Sequence, residues 1–353
     1  MSSTLALPAA VEFATRLVQA MGAPDTVARD VAEHLVASNQ AGYPSHGLSI
    51  LPGYHAAALK GGIAVAAGPE CIRDEGPVLG FDGHMGFGQH VGKIVFARAL
   101  ERARKNGLCV LTLRDSCHLG RMGHYGEQAV AGGMALLAFT NVLGRAAMVA
   151  PFGGREPRLT TNPLCFAWPL ADGRAPFVLD MATSAIALNK ARVLAARGEP
   201  APADALIDAD GRPTTDASVM TRAPSGAILP FGGHKGYGLG VAVELLAGLL
   251  SGAGTVRPER QQGETFAANN LFALVVDPAR FADPKWLSGE AGAYIDYLRS
   301  CPPQPGFDAV RYPGEYEAAQ RARHADAIEL DTATAAALRQ LADGAGVPFP
   351  VLG

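Results

Sequence analysis

A chain of 353 residues with 30 basic against 33 acidic side chains carries a net charge of −3, which excludes the electrostatic footprint of a nucleic-acid or anionic-membrane binder. The length supports one large elaborated domain or two, with a substantial core. Five scattered cysteines (Cys71, Cys109, Cys117, Cys165, Cys301) indicate reduced thiols, and no apolar run approaches the ~20 residues of a membrane span, so a cytoplasmic globular protein is expected.

A first helix is predicted over residues 8–21, where Ala14, Leu17, Val18 and Met21 share a face between Pro8 and the stop at Gly22. A second runs from Asp25 as N-cap through Val27, Val31, Leu35 and Val36 to Gly42. Tyr43-Pro44-Ser45-His46-Gly47 follows. Pro44 forces its predecessor out of helical geometry and Ser45 suits a cap, so a third helix is predicted through Leu48, Leu51, Tyr54 and Ala58. His46 then lies in its first turn, where the helix dipole favours neutral imidazole.

From Pro77 the pattern changes to a strand at Val78–Phe81, a glycine-rich turn, a helix carrying Val91, Ile94, Val95 and Ala99, and a strand at Leu108–Leu113. This βαβ-like unit suggests a dinucleotide fold. Its glycines (Gly86, Gly88, Gly92) are spaced GxGxxxG rather than GxGxxG, and no ribose-binding acid follows, so that reading is rejected. The loop Arg114–Arg121 and the helix opened by Gly123-His124-Tyr125-Gly126 lead to a strand at Met134–Thr140. Polar residues on such loops are where site chemistry sits. His118 and His124 lack metal-ligand spacing and no H-x-x-x-H or C-x-x-C occurs, so no metal is expected. Cys117 has no readable partners for nucleophilic catalysis.

The stretch 160–190 organises the rest. Leu164–Trp168 and Pro176–Leu179 flank Asp172-Gly173, the signature of a hairpin. The second run ends on Asp180, then Met181-Ala182-Thr183-Ser184, then a helical pattern with Ile186 and Lys190. A carboxylate and two hydroxyls thus stand where a strand becomes a helix, a seat for an anion. Residues 197–227 are loop-rich. His234 and Lys235, among four glycines, open a helix burying Leu239, Val243, Leu246 and Leu250, and a lysine there can reach a phosphate or ribose. A strand at Leu271–Val276, the turn Tyr312-Pro313-Gly314-Glu315 and a helical pattern over 330–343 close the chain.

Ser45-His46-Gly47, the Asp115–Gly120 stretch around His118, Pro151-Phe152-Gly153-Gly154, Thr161-Asn162-Pro163, Asp180–Ser184, His234-Lys235-Gly236-Tyr237-Gly238 and Pro313-Gly314-Glu315 occur in this order. Together, across residues 8–345, they resemble the malate/L-lactate (sulfolactate-dehydrogenase-like) dehydrogenase family, closest to its hydroxycarboxylate dehydrogenase B branch. The resemblance implies an α/β protein. A non-Rossmann mixed-sheet domain over 76–309 takes NAD(P) and substrate, and a helical domain forms from both chain ends, 1–75 with 310–353. It also implies a homodimer with the active site near the subunit interface. The implied reaction interconverts 2-hydroxycarboxylates and 2-oxo acids with NAD or NADP, NAD favoured. Reduction of cyclic or N-alkyl imino acids, as in piperideine-2-carboxylate reductases, is the alternative.

Carried over by position, His46 exchanges the carbinol proton and Asp180 is its orienting partner. Ser45, Ile50, His118, Arg121, Thr161 and Asn162 contact substrate. His118, Asp180, Met181, Ala182, Thr183, Ser184, His234, Lys235, Gly314 and Glu315 line the cofactor. An imidazole poised near neutral pH suits proton delivery as hydride arrives at carbon, and the nicotinamide does the difficult step. One departure bears on the substrate. Many members carry an arginine four residues after the histidine of Ser45-His46-Gly47, where this chain has Ile50. With Arg121 supplying the carboxylate's partner from the other side, the pocket gains an apolar wall suited to a bulky, even aromatic, 2-oxo acid.

Overall fold

The computed structural model describes residues 2–260 and 267–353. It opens with a strand the sequence reading missed, β1 (Ser2–Ala6), and three helices, α1 (Leu7–Ala20), α2 (Asp25–Gln40) and α3 (Leu51–Leu59). Then come β2 (Glu70–Glu75), β3 (Val78–Asp82), α4 (Gly88–Asn106), β4 (Leu108–Ser116), α5 (Gly123–Ala131) and β5 (Ala135–Leu143). The predicted hairpin is β6 (Leu164–Trp168) and β7 (Phe177–Met181), followed by α6 (Leu188–Arg197). Three two-residue strands, β8 (Leu206–Ile207), β9 (Pro213–Thr214) and β10 (Ala227–Ile228), form a small sheet. The chain ends with α7 (His234–Val243), β11 (Ala268–Val276), α8 (Pro284–Arg299), α9 (Glu315–Arg323), β12 (Ala327–Asp331) and α10 (Thr332–Ala345).

The chain ends meet. β1 pairs antiparallel with β12, setting Leu5 opposite Ile328. Phe13, Leu17, Val31, Leu35, Leu48 and Leu51 share one core with Ile328, Leu330 and Leu338. The 3.6-residue spacing of these positions makes each helix bury a single stripe, and each large side chain buried there contributes about 1.5–3 kcal/mol. Asp25 is the first helical residue of α2 rather than its cap, and its carboxylate accepts from the Gln19 side chain at 2.9 Å.

The large sheet has strand order β2-β3-β4-β11-β5-β6-β7. β3 and β4 are its parallel pair; the other five pairings are antiparallel, with β11 inserted between β4 and β5. That mixed order is not a Rossmann sheet. β2, which lies before residue 76, is the edge strand of this sheet and not part of the helical core. The hairpin loop carries Asp172 and Gly173 at φ 61° and 70°, the positive angles an Asp-Gly turn supplies. Helices α4 and α5 cover one face, packing Val91, Val95, Phe96 and Ala129 on Leu79, Leu111, Leu113 and Leu271. A Cβ at Gly86, Gly88 or Gly92 would collide with Ala67 O, His118 O or Tyr125 Oη respectively. Gly88 and Gly92 therefore let α4 lie close to its neighbours, and Gly86 lets the turn before α4 approach the backbone of Ala67. The opposite face, with Leu137, Phe139, Leu179 and Phe272, packs on Val243 and Ala247, where α7 passes into a π-helical turn over Glu244–Leu249.

Candidate active site

Where the helical core meets the sheet, a cavity of about 560 Å³ opens. The N-terminal segment supplies Tyr43, Ser45, His46 and Ile50 to its wall, and the loop after β4 supplies His118 and Arg121. Thr160 and Thr161 come from the turn before β6, Asp180 to Ala182 from the end of β7, and Asn189 and Arg192 from α6.

Local structure places each of these. Pro44–His46 is a single 3-10 turn, and α3 begins only at Leu51, so Ser45 caps no helix. Its Oγ instead lies 3.1 Å from His46 Nδ1. Asn39 Oδ1 accepts the N–H of Leu48 at 2.8 Å, and a Cβ at Gly47 would strike that same oxygen, which is why the turn needs glycine. The His118 loop is tied to β11: Asn269 Oδ1 accepts the N–H of Leu119 and Asn270 Oδ1 that of Asp115, both at 2.9 Å. Arg121 N–H donates to His34 Nε2 at 3.1 Å.

Arg121 is almost fully buried, at 2% exposure, and carries a fixed charge. Its Nη2 donates to Glu127 Oε1 at 2.5 Å, and Glu127 Oε2 accepts from Arg321 at 2.6 Å. Its guanidinium carbon stands 5.6 Å from the centre of the Tyr43 ring, and Tyr43 Oη donates to Glu317 Oε1 at 2.6 Å. Arg121 Nε and Nη1 are buried with no hydrogen-bond partner among the described residues.

The acid–base groups are displaced from their usual ranges. Burial, then the Arg121 cation, lowers His46 to about 4, so enclosure and a neighbouring charge, rather than the helix dipole, keep this imidazole neutral. Burial, then His46, lowers His118. Burial pushes the Asp180 carboxyl up to about 6, against the pull of Gly123 N–H and Arg121. The Gly123 N–H donates to Asp180 Oδ2 at 2.6 Å. His46 and Asp180 thus share the cavity while their hydrogen bonds run to Ser45 and Gly123. The rings of His46 and His118 stack at 5.7 Å.

Other expected residues lie behind or away from the wall. Asn162 is buried at φ 36°, its Nδ2 donating to Gly240 O and Glu244 Oε1, both at 2.9 Å. Thr183 bonds Thr161 O, and Ser184 Oγ donates to Ile186 O. Neither hydroxyl caps α6, which starts later at Leu188. His234 and Lys235 are exposed at the start of α7. Gly314 packs on the backbone of Pro176, and Glu315 Oε2 accepts the N–H of Tyr312 at 2.9 Å. The His124 ring lies tilted against His34, with centroids 4.2 Å apart. The sequence reading missed Tyr43, Arg145 and Arg192 on the wall. Tyr43 adjoins the His46 motif, whereas nothing local distinguishes the two arginines.

The sequence matches the malate/L-lactate dehydrogenase profile over residues 6–339. The chain belongs to the malate/L-lactate dehydrogenase family. It is 54% identical over 346 residues to an L-lactate dehydrogenase from Cupriavidus necator, covering 98% of this chain and 99% of the relative. It is 35% identical to hydroxycarboxylate dehydrogenase B from Escherichia coli over 342 residues, 96% and 94% of the two chains. The sulfolactate dehydrogenase structure from Methanocaldococcus jannaschii superposes with a TM-score of 0.85 at 30% identity, covering 98% of each chain. Family membership makes this an oxidoreductase of hydroxy acids and implies a nicotinamide cofactor. The cavity fits such a group. Its volume is that of an ordinary cofactor or substrate pocket, and Arg145, Arg192 and the first residues of α6 give it a cationic side for phosphate. No helix among the described residues is long and apolar enough to cross a membrane.

Proposed function

We propose that the protein is an NAD(P)-dependent dehydrogenase that interconverts 2-hydroxycarboxylates and 2-oxo acids, with NAD the favoured cofactor and a preference for bulky apolar side chains. The observation that carries this reading is the convergence of His46, His118, Arg121 and Asp180 on one cavity. The nicotinamide, when bound, donates or accepts the hydride. Arg121, the buried cation on the cavity wall, is the partner of the substrate carboxylate. Ser45 sits at His46 Nδ1, so Nε2 exchanges the proton with the carbinol oxygen. Neutral His46 accepts that proton during oxidation. A bound carboxylate offsets the Arg121 charge that holds His46 low, which favours the imidazolium needed for reduction. Asp180, beside Arg121, stabilises the positive charge that develops.

Ile50 lines the cavity together with Met148 and Leu188. These three give the substrate side chain an apolar surface and no cation at Ile50, which disfavours malate. A relative named L-lactate dehydrogenase accords with a monocarboxylate. The same reading includes a homodimer. The half-buried sheet face beside exposed Leu245, Leu249 and Leu250 offers the apolar surface for a second copy. Light scattering of the purified protein tests it, and a monomer at micromolar concentration overturns it. For the reaction, the test is NADH and NADPH oxidation with pyruvate, oxaloacetate, phenylpyruvate and hydroxyphenylpyruvate, each with and without methylamine. Amine-independent turnover of the aromatic acids, abolished in His46→Ala, is expected. Turnover only with amine moves the protein to imine reduction.

A further inference from the structure

A buried histidine of no assigned role reaches from α2 to the loop that carries Arg121. His34 is 2% exposed, and its Nε2 accepts the Arg121 N–H at 3.1 Å, a contact that joins the helical core to the cavity wall. The direction of this bond does not depend on what else the ring meets. A backbone amide nitrogen donates and has no lone pair to offer, so Nε2 is the unprotonated nitrogen. The neutral ring therefore carries its hydrogen on Nδ1. Turning the ring over would set Cε1 against the Arg121 amide and strand a buried N–H, which folded proteins rarely allow. The loop is shaped around the contact. Gly120 holds φ 78°, and a Cβ there would collide with His34 Nε2. Any other residue at 120 would both strain the turn and push the imidazole off the amide.

We propose that His34 is a positioning residue that sets the place of Arg121, and so of the substrate carboxylate, by fixing the arginine's backbone from the helical core. Arg121 is then held at two points by different elements. α5 and α9 hold its guanidinium through Glu127 and Arg321, and α2 holds its main chain through His34. The first hold alone leaves the arginine free to pivot about Glu127; the second removes that freedom and keeps the guanidinium at the cavity it shares with His46. The hold works only with a neutral ring, because an imidazolium would turn an N–H toward an N–H. Burial keeps the ring neutral, and the neighbouring His124 and Arg121 act in the same direction. The carboxylate as the group received rests on the dehydrogenase reading above; the hold on Arg121 does not.

Nitrogen-15 NMR of the protein labelled at histidine and arginine, without ligand, reads the hold directly. Expected for His34 is a protonated-type Nδ1 and an unprotonated-type Nε2. In His34→Leu the Arg121 amide resonance should shift and KM for the 2-oxo acid should rise about tenfold, with kcat within about twofold of wild type. His34→Gln presents an oxygen as many bonds from Cα as Nε2, so it should return both the resonance and KM toward wild type. If His34→Leu does not fold, His34→Asn, whose amide is one bond too short to reach Arg121, is expected to raise KM in the same way. A brace for folding alone would lower Tm with KM unchanged, and that result in a folded variant overturns the proposal. A wild-type spectrum with the proton on His34 Nε2 overturns it too, as does a His34→Gln no better than His34→Leu. Absence of 2-oxo acid turnover in the wild type sinks the dehydrogenase reading. The hold on Arg121 is then upheld by the Nδ1–H spectrum and by an Arg121 amide displaced in His34→Leu and restored in His34→Gln.

Discussion

The Arg121 guanidinium donates to Glu127 at 2.5 Å, and Glu127 is held from its other oxygen by Arg321 at 2.6 Å. Arg121 is thereby held by α5 and α9 while it lines the cavity. A charge-assisted hydrogen bond to a carboxylate is worth about 1.5–3 kcal/mol. Arg121→Met should therefore raise KM for the 2-oxo acid by about ten- to a hundredfold. It should also move the acidic limb of hydroxy-acid oxidation, set by neutral His46, upward from about 4, because burial and then Arg121 hold that value down. Steady-state kinetics from pH 4 to 8 check both effects, and an unchanged KM removes Arg121 from the substrate.

Stability carries its own pH signature. His34, His46, His118 and His124 all titrate below 6.5, chiefly because burial disfavours the imidazolium. As pH falls through 6.5 the unfolded chain takes up these protons before the folded one does, so stability that is full above that pH is lost on the way toward 4. Asp180 opposes this. Its folded carboxyl, raised to about 6, binds a proton first between there and 3.8, but it is one group against four. The Tm should fall between pH 7 and pH 5, and His124→Asn should flatten the slope. A Tm constant across that interval contradicts the assignment.

Three N–H donors converge on buried Glu244: Asn141 Nδ2 at 3.1 Å, Asn162 Nδ2 at 2.9 Å and Val256 N at 3.0 Å. Only a carboxylate offers acceptors on both oxygens. Glu244→Gln turns an NH2 toward a donor and should cost about 1–3 kcal/mol, seen as a lower Tm. Because Asn162 holds its left-handed turn through Glu244, the neighbouring Thr160 and Thr161 should loosen and KM should rise. Wild-type Tm in Glu244→Gln would show that the network tolerates a donor there.

Much of this architecture was legible because local signals agreed with the tertiary outcome. The helical stripes of α1 and α2, the Asp-Gly turn and the departure of Gly86, Gly88 and Gly92 from the dinucleotide spacing each led to the observed element. β1 was not legible, since five residues with one buried leucine gain their meaning from β12, more than three hundred residues later. The site divides the same way. His46, His118, Arg121 and Asp180 stand on motifs beside strand ends and turns, and all reach the cavity. Arg145, Arg192 and His34 gain their positions only when separate elements converge. Asn162 had the right motif, but its amide turns inward to brace the wall.

Ile50 tests how far one side chain sets substrate choice. It lines the cavity while also packing on the helical core, so the substrate meets a hydrocarbon surface there. Burying an unpaired carboxylate against it is costly, whereas an aromatic or branched side chain gains about 25 cal/mol for each Å² removed from water. Ile50→Arg should reverse that order, raising kcat/KM for oxaloacetate and lowering it for phenylpyruvate, with the ratio changing by about a hundredfold if the new charge pair is worth roughly 3 kcal/mol. The ratio is informative because a general loss of folding or of cofactor binding lowers both activities together and cancels. If Ile50→Arg lowers both without changing their ratio, the substrate side chain does not meet Ile50, and the apolar wall that separates this chain from malate-type relatives lies elsewhere in the cavity.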